Sequence, residues 1–122
     1  MSDEVVRILR SITGALSLSG DVLVLGDSTS AYCVDREKEV TWGDLRARAS
    51  DDCGGVNFYF ESWSGATPRA FLSQAANAAW WGCSYDWVLL IGGWNSYGIE
   101  SEEIDEIFTD LFAYCREHLI RK

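Results

Sequence analysis

Three short segments carry residue types that together suit acyl transfer: Gly26-Asp27-Ser28, Ser64-Gly65-Ala66-Thr67 and Gly92-Gly93-Trp94-Asn95. Cleaving an ester through a covalent intermediate needs a nucleophile, a base to take its proton, and donors for the oxygen that becomes negative. Ser28 offers a hydroxyl and its own backbone N–H. Gly65 offers a second N–H with no side chain to block a substrate, and Asn95 offers a side-chain amide. Asp27 suits a hydrogen bond to the turn backbone better than it suits a base. Each residue also has a plainer reading. Ser28 can cap a helix, Gly65 and Gly93 can permit tight turns, and Asn95 can form one.

The pattern around these segments sets them at strand tips. Asp21 to Leu25, Val56 to Phe60 and Trp87 to Ile91 are short apolar runs rich in β-branched or aromatic residues, each closed by small or polar ones. Helical spacing lies between them. Val5, Ile8, Leu9, Ile12 and Leu16 share one face, with Gly20 as a stop. Thr41-Trp42-Gly43-Asp44 has capping-box spacing and opens a short helix through Leu45 and Ala49. Thr67-Pro68 starts a helix through Phe71, Leu72 and Ala75 to about Trp81, which Gly82 ends. Ser101, followed by Glu102 and Glu103, opens the last one, with acids near the positive end of its dipole.

The resulting order, α-β-α-β-α-β-α, predicts parallel strands joined by helical crossovers, the α/β class. Working sites in such folds lie beyond the carboxyl ends of the strands. Here those ends are the loops 26–30, 62–67 and 92–97, so one shared site is expected.

On these residues the chain resembles the SGNH, or GDSL-type, hydrolase family. Gly26-Asp27-Ser28 matches the family's first block, Ser64-Gly65-Ala66-Thr67 resembles the second, and Gly93-Trp94-Asn95 matches the third. The stretch from Thr41 to Ala49 is similar to the helix that follows the first block. The resemblance spans most of residues 21–120. It implies a flavodoxin-like three-layer α/β/α fold, here a single domain over 1–122 with about three strands. It also implies hydrolysis of a small-molecule ester or acylated substrate, and no cofactor. By position, Ser28 is the nucleophile and Gly65 and Asn95 line the oxyanion hole. Ser96 stands where the family usually has aspartate. The final Asp-x-x-His block, which supplies the base, has no counterpart; the nearest segment is Arg116-Glu117-His118.

His118 is the one histidine of the chain. Helical spacing puts it on the apolar face of Ile104, Ile107, Phe108, Leu111 and Cys115. It stands about 24 Å along the axis from Glu102, on a helix running back toward the strands' amino ends. A packed or partner-facing histidine is the expectation. In a serine protease, loss of the histidine alone costs on the order of a millionfold in turnover, so little activity is expected, and enzyme status stays open on sequence alone. The family's domains usually continue into two further strands. Without them Trp87 to Ile91 is an open apolar edge, which invites pairing with another chain or aggregation, as in a homo-oligomer; a truncated domain, a shortened paralogue or an obligate oligomer is the expectation.

At 122 residues and 48% hydrophobic composition with six tryptophans, the chain can bury a core of its own. A net charge of -9 argues against nucleic-acid or anionic-membrane partners. No apolar run approaches the roughly 20 residues needed to span a bilayer, and no signal segment is visible, so a cytoplasmic location is expected. Cys33, Cys53, Cys83 and Cys115 are 20, 30 and 32 residues apart, which suits packed, reduced thiols and not a metal site. Trp63 and Trp94 flank the site and suit a substrate pocket. Trp80, Trp81 and Trp87 suit core or interface packing. Two competing functions are a catalytically silent SGNH-like binding or assembly module, and a flavodoxin-like flavin carrier using the hydroxyl-rich loop 27–30.

Overall fold

The computed structural model describes residues 2–27, 53–63, 66–80, 82–92 and 98–121. Among these, the elements run α1 (Ser2–Leu16), β1 (Asp21–Gly26), β2 (Asn57–Ser62), α2 (Pro68–Trp80), β3 (Trp87–Ile91) and α3 (Ser101–His118). The sheet order is β2-β1-β3, and both pairings are parallel. This is the α/β class that alternating strands and helices imply. The helix expected over 41–49 lies outside the described residues.

Central β1 explains its own composition. Val22, Leu23, Val24 and Leu25 are all buried, as a strand covered on both faces requires. Their alternation divides the core. Val22 and Val24 join Leu9 of α1 with Leu18, Val56 and Phe58. Leu23 and Leu25 join Phe71, Ala75 and Ala78 of α2 with Leu111 and Cys115 of α3. The alanines of α2 let that helix lie close to the strands, and its start follows Thr67 and Pro68 as expected.

Several packing expectations need correction. Leu16, assigned by spacing to the buried face of α1, is 52% exposed. The helix stops there, Ser17 turns the chain at φ 54°, and Leu18 enters the core instead. Of the core or interface packing expected for Trp80, the core part fails among the described residues: it is 83% exposed, at the last residue of α2. Cys53 and Cys115 are buried free thiols, but Cys83 is exposed and Cys33 lies outside the described residues. Burial pushes the Cys115 thiol up to about 11 and makes it a poor nucleophile.

The last described residues bind the amino ends of the strands. Ile120 pairs in parallel with Tyr85. Arg121 Nη2 donates to Asp21 Oδ2 at 2.7 Å and Nη1 to Asp86 Oδ2 at 2.9 Å. Asp86 Oδ2 also accepts from the Asp21 N–H at 2.8 Å. Arg121's hydrogen bond holds the Asp21 carboxyl below its ordinary value of 3.8. At the other end of α3, Glu103 forms a two-pronged pair with Arg69 of α2, at 2.8 and 2.9 Å.

Candidate functional site

The three strands end level with one another. Gly26 stands in register with Ser62 of β2 and Ile91 of β3. Neighbouring strands lie about 4.8 Å apart, so the three loops leave the sheet from roots within about 10 Å. Backbone bonds tie those roots together: Trp63 N–H donates to the Gly26 carbonyl at 3.2 Å, and Asp27 N–H to the Ile91 carbonyl at 3.4 Å. Ala66 N–H donates back to Trp63 O at 3.2 Å. The residues expected to do chemistry, Ser28, Gly65 and Asn95, lie outside the described residues, as do Ser64, Gly93 and Trp94. What the structure brings together is the frame from which each of their loops departs.

Asp27 forms the centre of that frame. It is fully buried, so its carboxylate is shielded from solvent. A Cβ on Gly92 would come within 3.0 Å of Asp27 Cγ, Oδ2 and backbone N. That approach is tighter than ordinary contact, and it accounts for glycine at the first position after β3. Gly26, one residue before Asp27, has φ 153°, a conformation that side-chain-bearing residues rarely adopt.

Sequence reasoning missed Gln74. This α2 side chain is fully buried. Its Oε1 accepts from the Gly26 N–H at 2.9 Å, and its Nε2 donates to the Gly26 carbonyl at 2.7 Å. A signal was present: Gln74 lies on the stripe of Phe71, Ala75 and Ala78, where helical spacing calls for an apolar residue. A polar side chain there must find a buried partner.

Trp63 borders the same strand ends and is 39% exposed. Its Nε1–H donates to Glu61 Oε1 at 3.3 Å, and Asn77 Nδ2 of α2 donates to that same oxygen. The indole is thereby anchored by its polar edge while part of its ring faces solvent.

His118 stands at the opposite end of the molecule. It ends α3, and the residues after it bind Tyr85, Asp21 and Asp86 at the amino ends of β1 and β3. The length of β1, about 16 Å at 3.3 Å per residue, separates it from the loop of Ser28. Its side chain is 47% exposed, 3.9 Å from Glu117, with its ring 4.5 Å from that of Tyr114. The sequence leads one to expect a packed or partner-facing residue; His118 is half-exposed against Tyr114, and in the last turn Leu119 takes the buried place.

A groove of about 230 Å³ lies between β3 and α3, lined by Trp87, Val88, Leu90, Leu111 and Phe112. It runs along the face of the sheet and not across the strand ends. Among the described residues, no group of three or more potential ligands could hold a metal ion. Among them, too, no helix is long and apolar enough to cross a membrane. Comparison with protein-family models, with curated proteins and with solved structures finds no match.

Proposed function

We propose that the chain is an ester or acyl hydrolase domain of the SGNH kind that turns over slowly by itself. In this reading Ser28 is the nucleophile, and Gly65 and Asn95 donate to the oxyanion of a small-molecule ester or acylated substrate. The observation that carries it is the level ending of three parallel strands, with Asp27 buried against Gly92 and one loop leaving from each root. Attack would form an Oγ–C bond while the carbonyl oxygen takes the negative charge. The N–H groups of Ser28 and Gly65 and the Asn95 amide are the donors for that charge. The serine proton goes to water or to a base from another molecule, because His118 lies at the far end of β1. Slow turnover follows from that missing base. Among the described residues Cys53, Cys83 and Cys115 form no disulfide, which suits a reducing compartment such as the cytoplasm.

A fluorophosphonate probe tests this directly. The folded protein is expected to form a covalent adduct on the peptide bearing Ser28, and Ser28→Ala to remove it. Folded native protein that acquires no adduct sinks the reading. The position of His118 favours a second one, a catalytically silent binding module. That module would retain ligand binding in Ser28→Ala, and loss of binding would count against it. For the flavin-carrier reading, a colourless purified protein that takes up no flavin would dispose of it. We further propose that the open edge of β3 is where a second copy of the chain associates.

A further inference from the structure

We propose that Gln74 is a positioning residue for Ser28: its buried amide fixes the backbone of Gly26, two residues before the serine, where the chain leaves β1. The reactivity arm of this proposal rests on the reading of Ser28 as a nucleophile.

The geometry is that of a surrogate peptide group. Gln74 accepts from the Gly26 N–H and donates to the Gly26 carbonyl, at 2.9 and 2.7 Å. The N–H belongs to the peptide plane before Gly26 and the carbonyl to the plane after it. Holding both sets φ and ψ of the most permissive residue type at the point where the strand ends. Trp63 N–H also donates to the Gly26 carbonyl at 3.2 Å, but Gln74 holds both the N–H and the carbonyl of a glycine whose φ of 153° is one that glycine enters and leaves freely. Only Asp27 lies between Gly26 and Ser28. Asp27 is itself held, fully buried beside Gly92 and donating its N–H to Ile91. The constraint imposed by Gln74 therefore reaches Asp27, the residue that precedes Ser28. Displacing a reacting group by about 1 Å costs on the order of a hundredfold in rate.

Two variants of the full chain test this. Gln74→Leu keeps the approximate size and removes both bonds. Gln74→Glu keeps the shape, but its carboxyl can donate to the Gly26 carbonyl only while protonated. The first readout is the rate of fluorophosphonate labelling at Ser28 across pH, in which an Oγ–P bond forms, fluoride leaves and the serine proton passes to water. The second is amide exchange at Gly26 and Asp27.

We expect Gln74→Leu to label about a hundredfold more slowly, with faster exchange at Gly26 and unchanged protection through Val22–Leu25 and α3. The rate of Gln74→Glu relative to native protein should rise as pH falls. Asp27, Glu61 and the Arg69–Glu103 pair are the other ionisable groups around this end of α2. Equal labelling by folded Gln74→Leu, or a pH-independent ratio for Gln74→Glu, overturns the proposal. If the native protein is not labelled, the reading of Ser28 fails, and exchange decides the clamp alone. Unchanged exchange at Gly26 in Gln74→Leu then overturns it, and faster exchange supports it. Should Gln74→Leu not fold, the pH ratio of Gln74→Glu carries the test.

Discussion

At the scale of single residues, the carboxyl end of β1 depends on two close fits that leave no room for a methyl group or an apolar substitute. Gly92 meets Asp27 along both its backbone N and its carboxylate, each at 3.0 Å from where a Cβ would stand. The backbone nitrogen cannot swing aside as a side-chain tip can, because its N–H is bonded to the Ile91 carbonyl. Gly92→Ala is therefore expected to destabilise the chain by about 1–3 kcal/mol, as overpacking does, and to slow any labelling of Ser28. Urea unfolding of native and variant protein measures the first effect, and equal midpoints would contradict the close fit. Gln74 shows what single-residue reading overlooks. Beside alanines in a helix it looks like a solvent-facing glutamine, until its place on the apolar stripe is noticed. Its partner, 48 positions earlier in the chain, follows from no local rule.

Among the elements, local pattern was informative and long-range closure was not. The apolar run of β3 and the Thr67-Pro68 start of α2 were legible from side-chain chemistry alone. β2 runs on to Ser62, beyond the apolar Phe-Tyr-Phe, because Glu61 and Ser62 still pair with Leu25 and Gly26. Arg121 bridging Asp21 and Asp86 joins the chain's last residues to the starts of β1 and β3, and no spacing within a segment announces it. This bridge predicts a defined pH dependence. Asp21 is held below 3.8 in the folded chain, first by its hydrogen bond from Arg121. A group with a depressed folded value contributes stability above its unfolded value, and that contribution fades as pH falls through the folded one. Arg121→Ala should thus be less stable than native protein from neutral pH down to about 4, and the two should converge below that. Denaturant midpoints measured from pH 7 to 2 check this. A gap that persists at the acid end would show that Asp21 is not the partner that matters.

For the molecule as a whole, the edge of β3 decides how it associates. Among the described residues the sheet ends with this strand. Ile120 pairs with Tyr85 just before it, and among the described residues no strand pairs with the outer edge of Trp87 to Leu90. Trp87 is 36% and Phe112 51% exposed, and both border the apolar groove. A second copy related by a two-fold axis would set β3 antiparallel against its mate and cover Phe112 on both sides. Two bodies of charge -9 repel one another, and salt screens that repulsion within about 8 Å at physiological strength. Association should therefore tighten as sodium chloride is raised, the reverse of what an interface built on ion pairs would do. Sedimentation of native protein should show a dimer favoured by concentration and salt, and Phe112→Lys, a change at an exposed position, should return it to monomer without loss of folding. Native protein that stays monomeric at every salt concentration would mean that the β3 edge is not self-complementary. A dimer unaffected by Phe112→Lys would place the contact on another face.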